Sequence, residues 1–227
     1  MNIGGFVKTS FVDYPGKIAS VVFTQGCNCR CGYCHNVGLL EIKKTFNNIR
    51  PEKIFEFLAK RKGMIDAIVI SGGEPTLQEH LHIFIKELKE MSFLVKLDTN
   101  GTNPEKLRAL IDDQLLDFIA MDLKAPLSKY EQVTEIRGLE LSTIRESVEV
   151  IKSSGLAHEF RTTLCPELEA DDIPSIMLDF EIASNYVVQN CKSTDLKKVS
   201  GNKQDLQRIS QWFDKNLSFS FRGFGVR

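Results

Sequence analysis

The sequence has no surplus of charge. It carries 29 basic and 30 acidic residues in 227, a formal net charge of -1. That balance gives no bulk attraction to nucleic acid or to an anionic membrane surface, so neither is an expected partner. No apolar run reaches the roughly 18 residues that a bilayer span needs. The start, Met1-Asn2-Ile3-Gly4-Gly5, has no charged stretch followed by a hydrophobic one, and a cytoplasmic protein is expected. Internal repeats, linkers and low-complexity segments are missing too. One domain is therefore expected over 1–227, with 1–17 as an N-terminal extension and 215–227 as a C-terminal strand or tail. A spread of cysteines is also lacking: of six, Cys27, Cys29, Cys31 and Cys34 crowd into one short run while Cys165 and Cys191 stand alone. Such crowding is no disulfide framework, and in a reducing compartment it points to metal.

What is present is alternation. Short runs rich in β-branched residues predict strands at Ile18–Thr24, Ala67–Ser71, Leu94–Asp98, Phe118–Asp122, His158–Thr163 and Asn185–Gln189. Amphipathic stretches between them predict helices starting near Pro51, Gln78, Pro104, Ser142, Asp171 and Lys203, with Pro51 and Pro104 suited to a first turn. Repeated βα units build a parallel sheet covered by helices. A closed eightfold barrel takes about 250 residues, so six units in this length predict an open, partial (β/α)6 barrel or a doubly wound sheet. In both, chemistry collects at the carboxyl ends of the strands, where Gly26 to Asn36, Gly72-Gly73-Glu74-Pro75, Thr99-Asn100-Gly101 and Leu123-Lys124 fall. The tail from Phe219 to Gly225 alternates well enough to be a last strand packing its phenylalanines on the core.

Cys27-x3-Cys31-x2-Cys34 puts three thiolates in one loop, and thiolates select zinc, copper(I) or iron–sulfur clusters. A four-iron cluster normally takes four cysteines, so three would leave one iron open to a small molecule. Cys29 leaves a second reading open, a closed four-thiolate site such as structural zinc. In an extended loop Cys29 shares a face with Cys27 and Cys31, and alternation does not separate the two readings.

With Tyr33 before its last cysteine, the motif resembles the signature of the radical S-adenosylmethionine superfamily. The resemblance implies one [4Fe–4S] cluster held by Cys27, Cys31 and Cys34, S-adenosylmethionine on the fourth iron, and Tyr33 near the adenine. Cys29 departs from the apolar residue expected there and is taken as a spare thiol. Ser71-Gly72-Gly73-Glu74-Pro75 would ordinarily be a tight turn, yet it resembles the superfamily's GGE motif, which implies that Gly72, Gly73 and Glu74 hold the cofactor's amino group. Leu97-Asp98-Thr99-Asn100-Gly101 and Met121-Asp122-Leu123-Lys124 resemble segments of the glycyl-radical-enzyme activases. By that likeness Lys124 meets the cofactor carboxylate, Asp98, Thr99 and Asp122 order its surroundings, and Arg161 adds a second cation. Gln189 is a candidate adenine contact. His35 is expected to hydrogen-bond rather than ligate, and Cys165 and Cys191 to be buried apolar residues.

Lys8 to Lys17, running into Val21 to Asn28, narrows the resemblance to the activating proteins of anaerobic ribonucleoside-triphosphate reductase, over most of the first 165 residues. The likeness implies a 5′-deoxyadenosyl radical that takes hydrogen from a glycine of the reductase. The implied partners are that glycyl-radical enzyme and a flavodoxin- or ferredoxin-like electron donor. Alternatives are a pyruvate formate-lyase activase, a deazaguanine synthase, or a non-catalytic zinc or electron-transfer protein.

Overall fold

A computed structural model describes residues 1–43, 48–191, 203–212 and 219–223. The described strands are β1 (Ile3–Ser10), β2 (Ala19–Thr24), β3 (Ala67–Gly72), β4 (Leu94–Thr99), β5 (Phe118–Asp122), β6 (Ala157–Leu164), β7 (Tyr186–Asn190) and β8 (Phe219–Arg222). The helices are α1 (Pro51–Ala59), α2 (Leu81–Glu90), α3 (Pro104–Asp112), α4 (Tyr130–Thr134), α5 (Leu141–Ser153), α6 (Asp172–Asp179) and α7 (Lys203–Trp212). All eight strands form one sheet in chain order, with β1 antiparallel to β2 and every later pair parallel. Among the described residues β1 and β8 are edges, and the sheet is an open, partial (β/α)6 barrel. No described helix is long and apolar enough to cross a membrane.

The six expected strands are β2 to β7, each end within one residue of its expected place. Local chemistry explains the helix starts. Pro51 and Pro104 open α1 and α3, and the Asn103 side chain caps α3 by accepting from Lys106 N at 3.1 Å. α2 begins three residues later than Gln78, because that residue is a buried bracket. Its side chain donates to Gln25 O at 2.7 Å and accepts from Asn2 N at 2.8 Å. Residues 1–17, expected as an extension, supply β1 and the loop beneath the sheet. β8 is the expected last strand, and Phe219 and Phe221 pack on the main core. Phe224, Gly225 and residues 215–218 lie outside the described residues.

The sheet has two unlike faces. Outward, Ile68, Ile70, Val95, Leu97 and Ile119 meet Ile54, Leu58, Ile85, Leu88, Leu107 and Ile151 of the helices in one large buried cluster. Inward, the register sets Val21, Val69, Lys96 and Phe118 side by side, then Asp98, Ala120 and Glu159, then Asp122, Arg161 and Val187. The lower interior is filled by Tyr14, Ala19, Val21, Ala67 and Val69. Tyr14 comes from the β1–β2 loop and packs its ring at a tilt against Phe118, 5.7 Å between centroids. Lys96 Nζ donates to Asp13 O at 2.8 Å, so that loop forms a floor. Above the floor the interior is charged.

Candidate active site

A cleft enclosing about 870 Å³, its open mouth included, lies at the carboxyl ends of β2 to β7. The cysteine loop after β2 forms one wall with Cys27, Cys29, Cys31, Tyr33, Cys34, His35 and Asn36. Gly72, Gly73 and Glu74 follow from β3, Asp98, Thr99 and Asn100 from β4, Asp122 and Lys124 from β5, Arg161 and Thr163 from β6, and Gln189 from β7. Every candidate site residue read from the sequence thus lines one cavity. Cys165 and Cys191 are buried away from its lining.

The two glycines are required first by the chain's own backbone. Gly72 adopts a φ of +118°, and a Cβ there would strike Thr24 N, while a Cβ on Gly73 would strike Gly26 O. β3 therefore passes directly against the root of the cysteine loop, and Gly73 N and Glu74 N donate to Thr24 O at 2.9 Å and Gly26 O at 2.8 Å. Glu74 is 1% exposed. Its Oε1 accepts from Thr76 N at 3.0 Å, Thr76 Oγ1 at 2.6 Å and Thr99 Oγ1 at 2.8 Å, and its Oε2 accepts from Asn100 N at 2.7 Å. Oε2 keeps one acceptor site for the cleft. Burial raises the Glu74 pKa, against the pull of these donors.

Opposite stands a chain of charges. Lys96 Nζ lies 2.9 Å from Asp98 Oδ1, Arg161 Nη1 3.5 Å from Asp98 Oδ2, Arg161 Nε 2.8 Å from Asp122 Oδ1, and Lys124 Nζ 2.9 Å from Asp122 Oδ2. Arg222 on β8 reaches Glu159 at 3.0 Å, and Glu159 stands 3.8 Å from Arg161. Burial works against each charge, but the partners win. Arg161, with Lys96 or Lys124, holds Asp98 and Asp122 below the ordinary carboxylate range, and Asp122 with its neighbours holds Lys124 well above the ordinary lysine value. These seven groups sum to one positive charge in a largely buried interior, which suits an anionic ligand group.

Sequence reasoning missed Lys96, Glu159 and Arg222, and it placed Asn100 at a strand end without giving it a role. Asn100 ties the site together: its amide donates to Asn28 Oδ1 at 2.9 Å and Cys29 Sγ at 3.4 Å and accepts from Thr102 N at 3.0 Å and Thr102 Oγ1 at 2.7 Å. An asparagine directly after a predicted strand is the signal that could have found it.

The donor set fits an iron–sulfur cluster. Four soft thiols line one wall, those of Cys27, Cys31 and Cys34 among them, although no three His, Cys, Asp or Glu side chains among the described residues close round a single point. The hydroxyls of Tyr33 and Tyr130 are buried without a hydrogen-bond partner, and both tyrosines lie beside Cys31 and Lys124. Orphaned polar atoms of this kind are uncommon and call for an explanation.

An open parallel barrel with a thiol-rich loop, a buried glutamate and a paired-cation rim at one end defines a cofactor-dependent iron–sulfur protein. Residues 21–180 match the radical SAM superfamily, and the chain belongs to it. Its cofactors are accordingly one [4Fe–4S] cluster and S-adenosylmethionine. The chain is 38% identical over 202 residues to a Methanocaldococcus jannaschii protein whose name places it provisionally among glycyl-radical enzyme activating enzymes, covering 85% of this chain and 81% of that one. It is 36% identical over 123 residues to the pyruvate formate-lyase-activating enzyme of Staphylococcus aureus, covering 50% of this chain and 49% of that enzyme. Among solved structures, Streptococcus suis SuiB bound to its precursor peptide SuiA superposes with a TM-score of 0.66 at 17% identity, over 89% of this chain and 48% of that one. The chain thus spans about half the length of the last two.

Proposed function

We propose that this radical SAM enzyme activates a glycyl-radical enzyme, anaerobic ribonucleoside-triphosphate reductase, by creating the radical on one of its glycines. The observation that carries the reading is the convergence of the cysteine loop, Gly72-Gly73-Glu74 and the Asp122–Lys124–Arg161 rim on one cleft. The M. jannaschii relative supports the class of partner, and the segment from Lys8 to Asn28 supports the reductase in particular.

When bound, the cluster and S-adenosylmethionine supply a 5′-deoxyadenosyl radical, which takes a hydrogen atom from the partner's glycine. Cys27, Cys31 and Cys34 would hold three irons. The free acceptor site of Glu74 and the strand-end carbonyls of Gly72 and Gly73 would receive the cofactor's ammonium, while Lys124 and Arg161 would meet its carboxylate. Asp98 and Asp122 keep those two cations oriented before any ligand arrives. Tyr33 and Gln189 would border the adenine. The floor formed by Tyr14 and Asp13 shuts the lower end against water. An electron from a flavodoxin- or ferredoxin-like donor would start each turnover.

The test is anaerobic incubation of reconstituted, reduced protein with S-adenosylmethionine and purified reductase, read by electron paramagnetic resonance. A glycyl-radical doublet with 5′-deoxyadenosine formed is expected. The S. aureus relative favours one rival, pyruvate formate-lyase as partner. A doublet arising only with that lyase would replace the reductase.

A further inference from the structure

The charged rim reaches one strand further than the residues assigned to the cofactor. Arg161 on β6 is ringed by three carboxylates: Nε lies 2.8 Å from Asp122 Oδ1, and Nη1 lies 3.5 Å from Asp98 Oδ2 and 3.8 Å from Glu159 Oε1. Nη2 takes part in none of these pairs, and Arg161 lines the cleft. Asp98 and Asp122 have further cations in Lys96 and Lys124. Glu159 has Arg222.

That last pair spans three strands. By register Arg222 on β8 stands beside Gln189 on β7, and Gln189 beside Thr163 on β6. The Arg222 side chain nevertheless turns back across β7 to Glu159, where Nη1 donates to Oε1 at 3.3 Å and Nη2 to Oε2 at 3.0 Å. A two-pronged contact of this kind fixes direction as well as charge. The Glu159 side chain is 10% exposed and that of Arg222 47%, so the carboxylate belongs to the interior and its cation to the edge of the sheet. Without Arg222, Glu159 would be a nearly buried carboxylate whose remaining cation among the described residues is Arg161. Attraction would then draw the Arg161 fork onto Glu159. The four cations that face three carboxylates would also become three against three, with no net positive charge left for an anion.

We propose that Arg222 and Glu159 are positioning residues for the cofactor's carboxylate: by taking up the charge of Glu159, the last strand keeps Arg161 available to that group and gives the rim its net positive charge. The inference rests on the assignment of Lys124 and Arg161 to the carboxylate of S-adenosylmethionine. It makes β8 part of the cofactor site, acting through Arg161.

The experiment is equilibrium binding of S-adenosylmethionine to the anaerobically reconstituted protein at low ionic strength, where a half-exposed charge is least screened. Wild type, Arg222→Met, Arg161→Met and the double variant Glu159→Gln/Arg222→Met are compared, with iron and sulfide counted and binding expressed per cluster. Arg222→Met should raise the Kd severalfold. The double variant should return it close to the wild-type value, because it restores the balance of charge without restoring the contact. Decarboxylated S-adenosylmethionine, which lacks the anion, should bind wild type and Arg222→Met alike. An unchanged Kd in Arg222→Met, beside a weakened Arg161→Met, overturns the proposal and spares the assignment of the rim. A double variant as weak as the single one also overturns it, leaving β8 as packing, and so does an equal loss for the decarboxylated ligand. An unchanged Kd in Arg161→Met overturns the proposal and the rim assignment together.

Discussion

The two faces of the sheet are made from the same strands and obey opposite rules. Outward residues such as Ile70, Leu97 and Ile119 are fully buried against helices, and their neighbours are aliphatic. Inward residues one position away, Ser71, Asp98 and Ala120, belong to a second environment with an apolar floor and a charged rim. The outer face explains why the chain folds. On the inner face each buried charge gives up hydration and is offset by its ion-pair partners, an arrangement that suits a bound ligand rather than packing. Fold and function are thus separated by a single step of the pleat.

That separation can be tested from both sides. The largest effect is expected at the rim's thiols: Cys31→Ala should abolish cluster assembly and 5′-deoxyadenosine formation together, seen as loss of bound iron and sulfide, while the far-ultraviolet dichroism stays native. Next is Arg161→Met, which leaves Asp98 and Asp122 facing each other with fewer cations. Removing one partner from a buried ion network costs about 3–5 kcal/mol, measurable by urea unfolding, and affinity for S-adenosylmethionine should fall with it. The same network sets an acid limit. Asp98 and Asp122 have folded pKa values below their unfolded ones, so their contribution is complete above the ordinary carboxylate range, about 4. It is lost as pH drops through the folded values. Asp122→Asn should flatten the dependence of the urea midpoint on pH in that window.

On the outer face Ile85→Ala should lower stability by about 2–5 kcal/mol through a cavity under α2. It should leave iron content and the cluster's response to S-adenosylmethionine unchanged per folded molecule. A loss of cluster in that variant would mean that the faces are coupled. The smallest effect belongs outside both: Phe11, 75% exposed on the β1–β2 loop, should tolerate Phe11→Ser within about 0.5 kcal/mol by thermal unfolding.

Much of this was legible in the residues. The strands β2 to β7 read correctly because each is a short apolar run bounded by turn signals. β1 did not, since Gly4, Gly5, Lys8 and Thr9 break the alternation and most of the strand is only half-buried or exposed. The cysteine spacing and the Gly-Gly-Glu turn named the site because their chemistry is local. Lys96 escaped notice because a lysine within a strand reads as solvent-facing until the register turns it inward to Asp98 and the Asp13 carbonyl. Glu159 and Arg222 pair across 63 positions of sequence, a distance no local pattern spans.

The sequence by itself therefore determined the strands β2 to β7, the six helices expected between and after them and which thiols share a loop, because periodicity and spacing act over a few residues. Only the tertiary structure decided that Gly72 and Gly73 make room for the chain's own backbone and that Glu74 is nearly saturated by Thr76, Thr99 and Asn100. It also decided that a line of paired charges climbs from the floor to the rim. Those outcomes depend on which residues of different strands come into register, and register is fixed by packing the whole sheet against its helices.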